Sequence, residues 1–307
     1  MAESSRVRVQ VEGRDLELSN LDKPLYPEFA KAEVIDYYTR VAPVLLPHLA
    51  DRPVTRLRFP DGVDGQKFFE KNAPSHTPRW VRTVKLPSPG STLGRDTIHY
   101  VVVEELAALV WLANLAALEL HTPQWTIGDR TRMEEFAVHQ PDRLVFDLDP
   151  GAPAGLPECL EVALLLRERL ADAGLDAYPK TSGRKGMQLV CPVSGSQPSD
   201  IISGYAHQLA REIEADHPKL VVSKMAKNLR RGKIFIDWSQ NNAVKTTVTP
   251  YSLRAEQVPT VSAPLTWEEV EAGGHPRFTA AGVLDRIDEY GDLMAPVHEP
   301  GPPVPAP

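Results

Sequence analysis

The chain has 307 residues, 42% of them hydrophobic, enough for a well-packed core as one large domain or two small ones. Its formal net charge of −7 argues against a histone-like nucleic-acid binder while leaving room for a local basic groove. No apolar run of about 18 residues is present to span a membrane, and the start, MAESSRVRVQVEGRDLEL, lacks the apolar block of a signal peptide, so a cytoplasmic protein is expected.

In chain order, VRVQVEGRDLELS alternates as a hairpin does, and KAEVIDYYTRVAPVLLPHL reads as an amphipathic helix interrupted by proline. RPVTRLRFP reads as a strand. Residues 104–120, EELAALVWLANLAALEL, read as one apolar, buried helix. RLVFDLDP is a short strand closed by Pro150. LPECLEVALLLRERLADAG is a helix stopped at Gly174. LDAYPKTSGRKGMQLVCPV is strand, turn, strand, and SDIISGYAHQLAREIEADHP is a helix with Ser199 or Asp200 placed to cap it. GKIFIDWS and KTTVTPYSL are further strands; TWEEVEAG and FTAAGVLDRIDEYGDLM are helical. The two cysteines, Cys159 and Cys191, fall within helix and strand and read as reduced core thiols. The mixture predicts an α+β (mixed α/β) domain over residues 1–294, with β-sheets lining a central cleft, and a disordered proline-rich tail over 295–307.

Three acids carry the chemistry. Residues i and i+2 of a strand share a face, so Asp147 and Asp149 of VFDLDP stand side by side, their backbones about 6.5–7 Å apart. Two like charges repel unless a cation lies between them, and hard oxygen ligands suit Mg²⁺ or Mn²⁺. Taken alone, such a pair serves equally well as a solvated strand end or a cap. Asp237, ending the strand KIFID, shifts the balance: on neighbouring strands the three could hold two divalent ions about 3.5–4 Å apart, the arrangement for in-line nucleotidyl transfer. A haloacid-dehalogenase-type phosphatase carries a similar string, but DLDPG lacks the threonine of DxDGT. Between the two acid strands, TSGRKG offers Gly183 and Gly186 for close approach to an anion, Ser182 as a donor and Lys185 as a charge. From Lys219 to Ile236 the chain carries six cations and no acid. Such a run is ordinarily a solvated surface; leading into Asp237, it gains weight as a face toward phosphates.

The combination VFDLDPG, KTSGRKGMQL, KIFIDWSQNNAVKTTVTPYSLRA and LELHTPQW resembles the polymerase domain of bacterial DNA ligase D, of the archaeo-eukaryotic primase superfamily, from about Leu18 to Leu293. The resemblance implies a metal-dependent primase-polymerase that adds ribo- or deoxyribonucleotides to DNA ends and fills gaps in non-homologous end joining. It assigns Asp147, Asp149 and Asp237 to Mg²⁺ or Mn²⁺. It gives the nucleotide to His121, Ser182, Lys185, Gln188, Arg230, Gln240 and Arg254. Lys23 and Lys31 would hold the 5′-phosphate of a downstream strand; Phe68 and Phe69 would stack on template bases with Lys71 alongside. Its implied partners are gapped or recessed duplex ends, NTP or dNTP, Ku and a separate ligase. No KxDG adenylation motif is present, so a stand-alone polymerase is expected. The family turn reads SGxKGxH, and Gln188 stands in place of its last histidine. Glutamine can donate a hydrogen bond but cannot carry charge. The expectation is a working site with weaker triphosphate stabilisation; the rival is an end-binding and synapsis module with catalysis weakened or lost.

Overall fold

The computed structural model describes residues 6–88, 96–128, 138–274 and 277–305. The chain opens with the hairpin β1 (Arg6–Val11) and β2 (Arg14–Ser19), then β3 (Pro24–Tyr26), β4 (Phe29–Ala30) and α1 (Lys31–Leu49). β5 (Pro53–Arg58), β6 (Phe68–Glu70), β7 (Thr83–Pro87) and β8 (Thr97–Val102) precede α2 (Leu106–Asn114) and β9 (Ala117–Thr122). There follow β10 (Arg143–Pro150), α3 (Leu156–Asp172), β11 (Tyr178–Thr181), β12 (Met187–Pro192), α4 (Ser199–Asp216), β13 (Val221–Val222) and β14 (Ile234–Asp237). The C-terminal part holds β15 (Thr247–Val248), β16 (Leu253–Ala255), β17 (Pro259–Val261), α5 (Trp267–Ala272) and α6 (Ala280–Tyr290).

Two sheets dominate. One runs β15-β9-β5-β8-β7, with β6 paired to β5; the other runs β11-β12-β10-β14-β13. Each has its own apolar core. The first is built on α1 and α2 and includes Tyr37, Tyr38, Leu45 and Leu112; the second lies under α3 and α4 and includes Phe146, Leu148, Leu166 and Ile213. The mixture is α+β. Late segments tie the sheets together. Lys180 of β11 donates to the Val248 carbonyl in β15 at 3.0 Å, and the Thr181 amide donates to the Ala263 carbonyl at 2.8 Å.

Four local expectations need correction. α1 is not interrupted: Pro43 and Pro47 lie within it. Each removes a backbone donor, and the buried face of Val34, Tyr38, Val41 and Leu45 holds the helix together. The apolar stretch 104–120 is not one helix. α2 ends at Asn114, Ala116 turns through φ 57°, and β9 follows. Its apolar residues satisfy both helical and strand periods. The turn is held by Arg58 Nε on the Leu115 carbonyl (2.7 Å) and by the Phe59 amide on the Ala116 carbonyl (2.9 Å). α4 starts after Pro198, whose φ of −68° suits that position, so Ser199 and Asp200 are already helical. Lastly, residues 295–305 of the proline-rich tail are packed. Val297 and Val304 are buried, and Gln197 holds Val304 through its Nε2 to the carbonyl (2.9 Å) and its Oε1 to the amide (2.7 Å). Proline lowers the entropy cost of fixing such a segment, and two valines anchor it.

Both cysteines are buried and unpaired, and burial pushes the Cys159 thiol up to about 12.

Candidate active site and nucleic-acid interface

Leu144, Phe146 and Leu148 of β10 are wholly buried, so alternation turns Asp147 and Asp149 to the opposite face. Antiparallel pairing then aligns further polar groups with them. Asp147 lies opposite Asp237 on one side and opposite Gln188 on the other, and Gln188 lies opposite Lys180. A row Lys180, Gln188, Asp147, Asp237 thus crosses four strands on one face.

This row is electrostatically crowded. Burial first, then the Asp149 charge, pushes Asp147 up to about 7, even though the Gln188 amide works the other way. Asp149 is raised by burial and by Asp237, against Lys185 and Arg230. Asp237 is the best satisfied of the three. Its Oδ1 accepts from the Ser239 amide (3.1 Å) and hydroxyl (2.5 Å), and its Oδ2 accepts from Gln240 Nε2 (2.8 Å). Three carboxylates that resist sharing a face without a cation, all hard oxygen donors, fit one or two divalent ions.

Gln188 differs from expectation in its contact: its Nε2 donates to Asp147 Oδ1 at 3.0 Å, while its Oε1 is buried without a partner. At the end of the row, buried Lys180 donates to the Val248 carbonyl and to Ser262 Oγ (2.6 Å). Burial, with Arg254 next, lowers its pKa to about 7.

The turn between β11 and β12 is tight because two glycines allow it. At Gly183, φ is 71° and a Cβ would sit 2.5 Å from Arg254 Cγ; at Gly186 a Cβ would be 2.2 Å from the Leu148 carbonyl oxygen. The Ser182 hydroxyl accepts from the amides of Arg184 and Gly186, both at 3.2 Å, and shapes the turn. Lys185 Nζ donates to the Pro150 carbonyl at 3.1 Å, next to the acid strand. Arg230 stacks over Phe235, 3.6 Å from its centroid, and Phe235 is the register partner of Asp149.

Sequence reasoning missed the group that joins these pieces. Glu119 of β9 is 1% exposed. Its Oε1 accepts from Arg184 Nη2 (2.8 Å) and the Ala255 amide (3.1 Å). Its Oε2 contacts His121 Nε2 (3.0 Å) and Arg254 Nε (3.4 Å). Burial pushes the Glu119 pKa up, but the His121 hydrogen bond and the charges of Arg254 and Arg184 outweigh it and hold it at about 2. Arg254 also donates to the Ser182 carbonyl at 2.7 Å, so His121, Arg254 and the Ser182 turn form one cluster. The available signal was spacing: Glu119 and His121 are i and i+2 on one strand.

The candidate DNA residues gather elsewhere. Lys31 opens α1, buried, with Nζ on the Ser19 carbonyl at 2.6 Å. Burial, then the charges of Lys23 and Arg58, lowers its pKa to about 8. Lys23 is more exposed and pairs with Asp61 at 2.7 Å. Phe68 and Phe69 lie on β6 opposite Arg58 and Leu57; both remain exposed, at 38% and 62%. Neither is core. Lys71 directly follows β6 and is half-buried.

A second set of metal-type donors, His48, Asp292 and His298, lies where α1 meets the tail. His48 Nε2 is 3.1 Å from Asp292 Oδ2, but Arg143 Nη2 stands 3.5 Å from His298 Nδ1. A buried guanidinium at that distance opposes a cation, and the trio works as a polar tie between helix and tail.

The model of the family described as LigD, primase-polymerase domain, matches residues 30–294. A "Multifunctional non-homologous end joining protein LigD" of Mycolicibacterium smegmatis is 44% identical over 289 residues, covering 93% of this chain and 36% of that protein. A "Bifunctional non-homologous end joining protein LigD" of Bacillus subtilis is 32% identical over 281 residues, covering 90% of this chain and 43% of that protein. The chain therefore spans less than half the length of these relatives. Among solved structures, "Polymerase Domain from Mycobacterium tuberculosis Ligase D in complex with DNA" is similar with a TM-score of 0.87 and 40% identity, over 92% of this chain and 97% of that one.

Proposed function

Because this chain belongs to the LigD primase-polymerase domain family, we propose that it extends DNA 3′ ends with ribo- or deoxyribonucleotides and fills gaps during end joining. The observation that carries the reading is the alignment of Asp147 with Asp237, and of Asp149 beside them, next to the Lys185 turn. Asp147, Asp149 and Asp237 would hold Mg²⁺ or Mn²⁺. Two bound ions supply activation of a 3′-hydroxyl and charge stabilisation at the leaving phosphates.

The chain's own groups do the rest. Gln188 and Gln240 hold Asp147 and Asp237 in place through their amides. Lys185, Arg230 and Arg254 ring the site with positive charge for the triphosphate, and Ser182 shapes the turn that carries Lys185. His121 faces the nucleotide from β9. Lys23 and Lys31 take the downstream 5′-phosphate, and Phe68 and Phe69 offer faces to unpaired template bases, with Lys71 beside them. Ku and a DNA ligase activity act with it in the cytoplasm. Among the described residues no helix is long and apolar enough to cross a membrane.

The test is extension of a primer on a 5′-phosphorylated gapped duplex with Mg²⁺ or Mn²⁺, comparing NTPs with dNTPs. Extension with either ion is expected. Binding of the duplex with no extension under any of these conditions would replace the polymerase reading with that of an end-binding module.

A further inference from the structure

We infer that Glu119 is a positioning residue that locks His121 in its Nε2–H tautomer, so that the imidazole meets the nucleotide through an accepting Nδ1 and reads a sugar hydroxyl rather than a phosphate. The choice of nucleotide as the ligand rests on the polymerase reading; the tautomer does not.

The Glu119 carboxylate is buried, and every neighbour that reaches it brings a hydrogen: Arg184 Nη2, the Ala255 amide, and Arg254 Nε in ion-pair contact. His121 Nε2 is the fourth, at 3.0 Å. An ionised carboxylate only accepts, so Nε2 must carry the proton. The carboxylate is ionised at neutral pH, held at about 2 once its partners outweigh burial. Burial also lowers the His121 pKa, so the ring is neutral and its second nitrogen is bare. Nδ1 is then an acceptor. The phosphate oxygens of a nucleoside triphosphate at neutral pH are acceptors too and offer it nothing. A sugar hydroxyl is a donor that every nucleotide carries, and base N–H groups are engaged with the template.

Glu119 reaches further than one ring. The same carboxylate holds Arg184, which lies inside the TSGRKG turn and also pairs with Glu256 at 2.7 Å. It therefore sets the distance between His121 on β9 and the turn beside the acids.

The test has two arms. In the first, the ring nitrogens of His121 are read by long-range proton–nitrogen NMR in protein without nucleotide, assigned by loss of the signal in His121→Phe. Protonated Nε2 and pyridine-like Nδ1 are expected; a protonated Nδ1 would overturn the inference. Glu119→Gln sharpens it. With its amide oxygen on Arg184 and the Ala255 amide, its NH₂ faces His121 and forces the opposite tautomer. An unchanged pattern in a folded Glu119→Gln protein would also count against the lock.

The second arm compares KM for NTP, 2′-deoxy and 3′-deoxy nucleotides. One of the two deletions should cost wild type about tenfold, the size of one hydrogen bond, and cost His121→Phe nothing. An equal penalty in both proteins would remove the sugar assignment. Failure of wild type to use any nucleotide would defeat the polymerase reading, while the NMR arm would still decide the tautomer.

Discussion

In the five-stranded sheet, three carboxylates crowd one face, and burial with mutual repulsion lifts Asp147 to about 7. In the N-terminal half, Lys31 crowds with Lys23 and Arg58, and burial with repulsion drops it to about 8. The two regions are opposites in sign and alike in construction: each holds one buried charge beside like charges, Asp147 beside Asp149 and Lys31 beside Lys23 and Arg58, although Lys23 and Arg58 themselves pair with Asp61 and Glu70. Glu119 shows the contrasting case. It is as buried as any of them, yet its counter-charges are built in, and it titrates far below its usual range. Among the described residues neither Asp147 nor Lys31 makes an ion pair, whereas Glu119 pairs with both Arg184 and Arg254.

The hardest way to break the comparison is to remove an acid. Asp147→Ala or Asp237→Ala should abolish extension while leaving DNA binding nearly unchanged, because the cationic region is a separate construction. Primer extension in Mn²⁺ with a parallel gel shift measures both. Near-normal extension by either variant would end the metal assignment.

Next in size is deletion of residues 295–307. Met294 and Val297 pack on Val145, which shares the face of β10 with Asp147. Losing buried Val297 and Val304 should destabilise the fold by about 3–6 kcal/mol, at about 1.5–3 kcal/mol per buried side chain. Urea unfolding at fixed pH gives the value; an unchanged midpoint would mean the tail contributes nothing to the fold.

For the cationic region, Lys23→Ala with Lys31→Ala should erase any preference for 5′-phosphate over 5′-hydroxyl ends. In wild type that preference should itself titrate. With Lys31 lowered to about 8, the charged form that pairs with phosphate is present below that pH and is lost as pH rises through it. The folding linkage runs the opposite way. A lysine with a depressed folded pKa is charged at a cost, so free-protein stability from this group rises between about 8 and the ordinary value of 10.5. Competition binding of the two ends from pH 7 to 9 tests the first sign, and a flat profile would remove Lys31 from the pocket.

The smallest effect should come from Gln188→Leu. It deletes the amide donor on Asp147, so the metal concentration for half-maximal extension should rise about tenfold, near the lower end for a hydrogen bond to a charged group. Gln188→His retains a donor and should fall closer to wild type. Equal metal requirements in all three would show that Asp147 does not depend on this partner.

The acids were legible because their information is local. Apolar alternation around Asp147, Asp149 and Asp237 fixes which way they point, and strand pairing does the rest. The hairpin of β1 and β2 was legible for the same reason. What could not be read depends on contacts far apart in the chain. Glu119 gains its meaning from Arg184, Arg254 and Ala255, which lie 65, 135 and 136 positions away. The helix-to-strand change after Asn114 was hidden because leucine and alanine fit both periods. The order of the tail was hidden because a proline-rich composition does not reveal that Val297 and Val304 have a surface to meet.

Gly186 and Gly151 bear on how the site can move. A Cβ at Gly186 would lie 2.2 Å from the Leu148 carbonyl oxygen, and one at Gly151 would lie 1.9 Å from that of Arg230. Backbones so close cannot slide past one another. The acid strand, the Lys185 turn and the Arg230 loop therefore travel as one rigid body. Opposite them, His121 and the rest of β9 are joined to that turn by Glu119–Arg184 and Arg254–Ser182 contacts, and Thr260 Oγ1 donates to the Gly183 carbonyl at 2.6 Å. The turn is locked on that side as well, where a Cβ at Gly183 would lie 2.8 Å from the Val261 carbonyl and the Thr181 amide bonds the Ala263 carbonyl, so the Lys185 turn is a fixed wedge between the two sheets.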